Sequence, residues 1–77
     1  MSEAPSVVDA RGHRCPTPTL RLRRALEQAL PGDSIDLLAD DPLARIDVPH
    51  FVNQMGHALI SMEAEGAGWR FRVRKTG

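Results

Sequence analysis

The chain has a single cysteine, Cys15, and this scarcity excludes two kinds of site. One cysteine cannot form an intrachain disulfide, and a redox switch that needs a second, resolving cysteine has no partner in the sequence. The thiol is therefore either buried and inert or exposed and chemically employed. The first five residues are polar and lack the apolar run of a signal peptide, so we expect a cytoplasmic protein.

Net charge and long apolar runs are also missing. Ten Lys and Arg residues balance ten Asp and Glu residues, so bulk charge gives no reason to expect direct nucleic-acid binding. No apolar run approaches the ~18 residues of a membrane span, so we expect no membrane association. Charge is uneven, because residues 31–67 hold seven acidic groups and one basic group. This pattern suits steering toward a protein partner, although ordinary solvated faces explain it equally well.

Metal and cofactor motifs are absent as well. The soft metal ligands are few, and they follow no zinc spacing; they are His13, Cys15, His50 and His57. The sequence has no glycine-rich phosphate loop, no convincing catalytic triad and no general base beside the cysteine. We therefore expect neither a metal nor a cofactor.

Chain length and hydrophobic periodicity predict the fold. Seventy-seven residues suffice for one core, so we expect a single domain over residues 1–77, monomeric, with residues 1–5 disordered. Strands are predicted at residues 6–10 and 34–40, followed by a hairpin at 57–65 and 69–74 whose turn is Gly66-Ala67-Gly68. A helix is predicted from residue 16 to residue 30. A second helix ends at Gly56, with Asp47 as its N-cap so that Pro49 falls in the first turn.

Side-chain alternation predicts how these elements pack. The apolar members of the alternating strands should share one face; they are Ile35, Leu37, Ala39, Ala58, Ile60, Met62, Ala64, Trp69, Phe71 and Val73. Strands that alternate in this way are covered on one face only. The prediction is an α/β (α+β) two-layer sandwich in the order β-α-β-α-β-β, a four-stranded mixed sheet with both helices on one face. Arg70, Arg72 and Arg74 then face water.

Cys15 lies in the segment RGHRCPTP, directly before the first predicted helix. Pro16 suits the first helical position, which places Cys15 at the positive end of the helix dipole. Arg14, with His13 and Arg11, adds positive charge, and such surroundings lower the pKa of a thiol.

Pro16 and Pro18 remove two backbone donors near this helix start and stiffen it. We therefore expect the sulfur of Cys15 to be presented to partners rather than enclosed. The alternative is a small buried packing cysteine.

An activated thiol without catalytic companions suits a carrier better than an enzyme. A thiolate can attack a sulfur atom on another protein, keep it as a persulfide and pass it to the next thiol. The sequence therefore predicts a carrier that works with groups supplied by its partners.

Several short motifs in a fixed order resemble the TusA/SirA family of sulfur carrier proteins, over roughly residues 7–75. The matching motifs are Asp9-x-x-Gly12-x-x-Cys15-Pro16-x-Pro18, Asp40-Asp41-Pro42, Asp47-x-Pro49-x-Phe51, Gly56-His57 and Arg72-Val73-Arg74-Lys75. The Cys-Pro-x-Pro motif that opens the first helix is the most specific of them. Caps and turns also explain several of the aspartates: Asp47 is the predicted N-cap, and Asp40-Asp41-Pro42 is a predicted turn that Asp41 starts.

The resemblance implies a function for Cys15. Family members accept sulfane sulfur from a cysteine desulfurase or a rhodanese-like donor, carry it as a cysteine persulfide and deliver it to an acceptor protein. Their routes include tRNA thiolation, sulfur oxidation, molybdenum cofactor work and selenium metabolism, and the resemblance does not choose among them. The implied activity is that of a sulfurtransferase-type carrier rather than a stand-alone enzyme. His13 stands where members usually have an apolar residue, and it is either functional or a tolerated surface change.

Three further residues are candidates for partner docking. On a helical wheel Leu20, Arg23 and Arg24 fall opposite the apolar stripe of the first helix. We predict that the leucine anchors a partner and that the arginines pair with its carboxylates. A lone exposed leucine is also an ordinary surface feature.

Two other functions remain open at the level of the sequence. One is a non-catalytic RNA- or protein-binding module that uses the basic face Arg70, Arg72 and Arg74, since the topology also resembles the C-terminal domain of a bacterial translation initiation factor. Exposed aromatic residues for base stacking are lacking, because Trp69 and Phe71 are predicted to point toward the core. The other is a regulatory protein whose cysteine is incidental.

Overall fold

The computed structural model describes residues 6–14 and 17–76. The predicted disorder of residues 1–5 and the predicted placements of Cys15 and Pro16 lie outside these residues. The elements are β1 (Ser6–Asp9), α1 (Thr17–Gln28), β2 (Ser34–Ala39), α2 (Ala44–Gln54), β3 (Ala58–Glu65) and β4 (Gly68–Arg74). The predicted order β-α-β-α-β-β is confirmed.

The strands form one mixed sheet in the order β1-β2-β4-β3. β1 runs parallel to β2, whereas β4 is antiparallel to both β2 and β3. A parallel pair requires a crossover, and α1 supplies it between β1 and β2. The carboxyl ends of β1 and β2 therefore lie at the same edge of the sheet.

One face of the sheet holds the core. Ile35 lies opposite Val73 and Leu37 opposite Phe71, and all four are buried. These side chains belong to a single cluster with Leu22 and Leu26 of α1 and Ala44, Val48 and Val52 of α2. Full burial of each large apolar side chain stabilises the fold by about 1.5–3 kcal/mol. Both helices thus cover the same face, as predicted. Within the described residues no helix is long and apolar enough to cross a bilayer.

α1 ends two residues earlier than predicted. Its buried residues Leu22 and Leu26 match the predicted apolar stripe. The chain turns after Gln28, and Gly32 takes a left-handed φ of 91° that favours glycine. Lys75 donates its Nζ to the carbonyl of Ala29 at 2.8 Å, which places a cation at the negative end of the helix.

The predicted start of α2 is wrong. The helix begins at Ala44, the backbone N–H of Asp47 donates to the carbonyl of Leu43 at 2.8 Å, and Pro49 lies inside the helix. Asp47 is therefore in the first turn and is not the N-cap. The completely buried Ala44 extends the apolar stripe of Val48 by one turn toward the N-terminus. The packing of Ala44 stabilises the helix and offsets the loss of the backbone hydrogen bond that Pro49 cannot donate.

The predicted core face of β3 is wrong in its first half. Leu59 lies opposite Val73 and Met62 opposite Phe71, with a register shift between Leu59 and Ser61. An extra residue in a strand shifts the alternation by one position. Leu59 therefore packs against the core, and Ile60 is 48% exposed.

The uncovered face of the sheet carries an ion network where the sequence predicted a basic face. Asp36 has a side chain only 2% exposed, and it accepts hydrogen bonds from both Arg70 and Arg72. Arg70 also donates to both carboxylate oxygens of Glu65 at 2.7 and 3.0 Å. Arg70 and Arg72 lie on the open face as predicted, but both are half-buried and paired with carboxylates, which the sequence did not reveal; Arg74 is exposed as predicted.

Candidate functional site

The loop that leads to Cys15 begins where β1 ends. The backbone N–H of Ala10 donates to Leu38 at 2.8 Å, and the N–H of His13 donates to the carbonyl of Ala10 at 3.2 Å. Between them Gly12 has a φ of 84°, in the left-handed region that glycine adopts readily. The predicted tight turn at Arg11-Gly12 is therefore confirmed.

Asp40 ties this loop to the end of β2. Its Oδ1 accepts a hydrogen bond of 2.9 Å from the backbone N–H of Gly12, across 28 residues of sequence. Because β1 and β2 are parallel and adjacent, the residues that follow them meet at the same edge. Asp40 therefore fixes the position of the loop that carries His13 and Arg14.

Asp41 begins α2 from the same edge. Its Oδ1 accepts a hydrogen bond of 3.0 Å from the backbone N–H of Leu43, and its carbonyl accepts one of 2.9 Å from Ala44. This arrangement is an Asx turn, in which a side-chain oxygen replaces a backbone acceptor. The predicted structural role of Asp41 at this turn is confirmed.

The two loops enclose a cleft of about 350 Å³. Its described lining consists of Gly12, His13, Arg14, Asp40, Asp41 and Pro42. The structure thus brings two predicted site residues, the exposed His13 and Arg14, beside an acidic pair that the sequence placed in a turn. The Asp40-Asp41-Pro42 motif is visible in the sequence. Only the fold shows that it lines the same cleft as the loop before Cys15.

Arg11 is held by Asp9 rather than left free beside the cysteine. Its Nε and Nη2 donate to Oδ1 and Oδ2 of Asp9 at 2.9 and 2.7 Å. These hydrogen bonds hold the pKa of Asp9 well below its usual range. The side chains of both residues are about half exposed. The positive charge that the sequence assigned to Arg11 near Cys15 is therefore largely offset by Asp9.

Pro18 lies in the first turn of α1, near the helix start where the sequence placed it. The backbone N–H of Thr17, the first residue of α1, donates to the carbonyl of Arg14 at 2.9 Å. Pro18 is completely buried. Its ring is therefore packed inside the fold, where it restrains the start of the helix.

The predicted docking residues share the outer surface of α1. Leu20 is 56% exposed, and Arg23 and Arg24 are also exposed. Arg23 donates its Nε to Glu27, one turn further along, at 3.3 Å. Such an exposed pair stabilises a helix only slightly. Their exposure is as predicted, while their docking role stays a prediction.

Metal ligands do not converge in the described part of the chain. Within residues 6–14 and 17–76 no three His, Cys, Asp or Glu side chains lie together as a metal site would require. The chemistry that the cleft offers is electrostatic: a histidine and an arginine on one wall, and two carboxylates on the other.

Comparison with known proteins identifies the family. The chain matches the family model described as "Sulfurtransferase TusA" over residues 6–75. The crystal structure of a SirA-like protein from Desulfitobacterium hafniense has the same fold, with a TM-score of 0.78 and 24% sequence identity. The similarity covers 92% of this chain and 97% of that chain. The fold and the resemblance predicted from the sequence are confirmed, and family membership supports a sulfur-carrier role in general. The chain belongs to the TusA (SirA-like) family.

Proposed function

We propose that this protein accepts sulfane sulfur as a persulfide on Cys15 and relays it to an acceptor protein. The observation that carries the proposal is the family match over residues 6–75, which spans the Cys-Pro-x-Pro motif. Cys15 follows directly after Arg14, one of the cleft residues. Cys15 is the chain's one thiol, so it is the group that can hold the sulfur.

The transfer needs no external oxidant or reductant. The Cys15 thiolate attacks the terminal sulfur of the donor's persulfide, a new S–S bond forms on Cys15, and the donor's S–S bond breaks. The donor cysteine leaves as a thiolate with the electron pair of the broken bond. Delivery repeats the same exchange, with the acceptor's thiolate as nucleophile and Cys15 as leaving group.

The neighbouring residues support this exchange by charge and position. Arg14 and, when protonated, His13 add positive charge next to the thiolate in the sequence, which favours the ionised form of a thiol. Asp40 holds the loop through Gly12. The buried Pro18 restrains the start of α1.

The partners are other proteins. The donor is a cysteine desulfurase or a rhodanese-like protein, and the acceptor is a downstream carrier or enzyme of a route such as tRNA thiolation. Leu20, Arg23 and Arg24 form the docking surface of α1. In this proposal the chain acts as one domain, residues 1–77, monomeric and in the cytoplasm, without a cofactor.

Intact-mass spectrometry tests the assignment of Cys15. After incubation with a purified cysteine desulfurase and cysteine, the protein should gain the mass of one sulfur atom, and a reducing thiol should remove it. Cys15→Ser is the matched control and should gain nothing. An added mass that persists in Cys15→Ser, or no gain in the unmodified protein from any protein or small-molecule persulfide, would contradict the proposal.

A further inference from the structure

Exposed apolar side chains cluster at the start of α2 and on β3. Leu43 is 55% exposed, Ile46 69% and Met62 42%, and Pro42 beside them is also exposed. We call these four residues the α2 patch. Isolated exposed apolar residues are ordinary, but apolar residues that lie together mark interaction surfaces.

Packing within the fold does not explain the α2 patch. The buried side of α2 is formed by Ala44, Val48 and Val52, which recur every four residues. Leu43 and Ile46 are three residues apart and lie off this stripe, so they share an exposed side of the helix. Ile46 and Met62 line a second cleft of about 240 Å³, together with Pro42 and Arg45.

The α2 patch adjoins the cleft beside the cysteine loop. Pro42 lines both clefts, so the surface continues from His13 and Arg14 across Pro42 to Ile46 and Met62. A protein that binds at His13 and Arg14 from the side of Pro42 therefore also meets the α2 patch.

The size of a typical protein interface indicates that a protein bound for sulfur transfer also covers the α2 patch. Sulfur exchange requires the reacting sulfur atoms to touch, so the partner must sit on the Cys15 loop. A specific interface buries about 800 Å² on each partner, about a sixth of the 4857 Å² surface of this small chain. A footprint of that size centred on the loop extends well beyond one cleft.

We propose that the α2 patch binds the protein that donates sulfur to Cys15. This inference rests on the proposed function and adds a second contact surface to that of α1. The donor inserts an apolar side chain into the cleft between Ile46 and Met62, and it places a carboxylate beside Arg45. Arg45 is exposed, and its Cζ lies 5.9 Å from the ring centroid of Trp69, which positions the cation at the edge of the patch.

Comparing a protein donor with a small-molecule donor distinguishes an effect on docking from an effect on the sulfur-exchange reaction itself. The variant Ile46→Asp removes the apolar contact, and an acidic residue in the first turn of a helix is well tolerated. Its loading should be measured with a purified cysteine desulfurase plus cysteine, and separately with glutathione persulfide, which needs no protein docking. We expect the initial rate from the desulfurase to fall at least about tenfold, as for a central apolar contact. The rate from glutathione persulfide should stay within about twofold of the unmodified protein.

The matched control is Leu30→Asp. Leu30 is 70% exposed, almost the same as Ile46, but it lies beyond the end of α1, away from the cysteine loop. Its rate with both donors should be unchanged. The milder Ile46→Ser provides a second variant should Ile46→Asp disturb the far-UV circular dichroism spectrum.

Any other result of these loading experiments would contradict one part of the proposal. An unchanged desulfurase rate in Ile46→Asp and Ile46→Ser would overturn the α2 patch, as would an equal loss in Leu30→Asp. An equal loss with both donors would mean that Ile46 affects the reaction rather than docking. Loading of the unmodified protein by glutathione persulfide but not by the desulfurase would overturn the assigned occupant. Failure of the unmodified protein with both donors would instead overturn the proposed function.

Discussion

Arg72 lies directly opposite Asp36 in the register of β2 and β4, and its Nε and Nη2 donate to the two carboxylate oxygens at 2.8 and 3.0 Å. Arg70, diagonal to Asp36, donates a third hydrogen bond of 2.7 Å. The buried carboxylate is therefore surrounded by two guanidinium groups on the face that the helices leave open. These hydrogen bonds hold the pKa of Asp36 below its usual range, Arg72 contributing most.

Replacing Asp36 should destabilise the fold. Asp36→Asn keeps the size of the side chain but removes the charge that both arginines bind, so we expect a loss of about 1–3 kcal/mol in the free energy of unfolding. Urea denaturation followed by circular dichroism measures it. Glu65→Gln, at the exposed end of the same network, is the control and should have a smaller effect. A larger loss in Glu65→Gln than in Asp36→Asn would contradict this assignment.

The contribution of Asp36 should disappear in acid. Its pKa is lowered in the folded protein, so its stabilisation is complete above the unfolded-state pKa of about 3.9 and is lost as pH falls toward the lower folded-state value. The difference in unfolding free energy between the unmodified protein and Asp36→Asn should be constant from about pH 7 to about pH 5 and shrink below about pH 4. Asp9, whose pKa is also lowered, is present in both proteins, so its contribution to the pH dependence cancels in this difference. A difference that grows in acid would contradict the sign.

Local patterns in the sequence predicted the order of the elements and most of the core. The spacing of Leu22 and Leu26 identified the buried side of α1, and the alternation of Ile35 and Leu37 identified the buried face of β2. The same alternation failed in β3, because a bulge near Ile60 shifts the phase and leaves no local signal. Because Ala44 is buried in the core, α2 begins there, before the expected N-cap Asp47.

Contacts between distant residues account for what the sequence could not predict. Asp36 stands among apolar residues of β2, and its partners Arg70 and Arg72 follow only from the register with β4, 34 and 36 residues away. The motifs around Gly12 and Asp40 were visible, but their hydrogen bond spans 28 residues. The parallel pairing of β1 and β2 brings them together.

Asp40 should contribute both to stability and to sulfur loading. Asp40→Ala removes the hydrogen bond to the backbone of Gly12, and we expect a loss of about 0.5–1.5 kcal/mol in unfolding free energy. The loop before Cys15 becomes less restrained, so the rate of loading by glutathione persulfide should also fall. Asp40→Asn retains an acceptor oxygen and should restore most of the rate. Equal rates in Asp40→Ala and the unmodified protein would show that the tether has no part in the reaction.

Gly68 should not tolerate a side chain. A Cβ atom there would overlap the carbonyl oxygen of Ala39 and lie 2.7 Å from Cα of Asp40, both of them backbone atoms. We expect Gly68→Ala to lower the free energy of unfolding by about 1–3 kcal/mol, since β2 and β4 must separate locally. Thermal denaturation measures the effect. The control is Gly66→Asn in the adjoining turn, because asparagine accepts the left-handed φ of 59° and a Cβ there meets no atom. Similar melting temperatures for the two variants would contradict the close approach.

Arg24 should contribute to donor docking through its charge. Arg24→Glu reverses the charge on the exposed side of α1 beside Leu20, and we expect the rate of loading by a cysteine desulfurase to fall about three- to tenfold at low salt. The loss should shrink near 1 M salt, where charges are screened within about 3 Å. Arg74→Glu is the control. Arg74 is exposed beside Ser34, at the end of the sheet opposite to the loop that leads to Cys15. Loading by glutathione persulfide should be the same in all three proteins. An equal loss in both variants would indicate an effect of net charge, and an unchanged desulfurase rate in Arg24→Glu would reject α1 as a docking surface and leave the α2 patch as the only proposed contact.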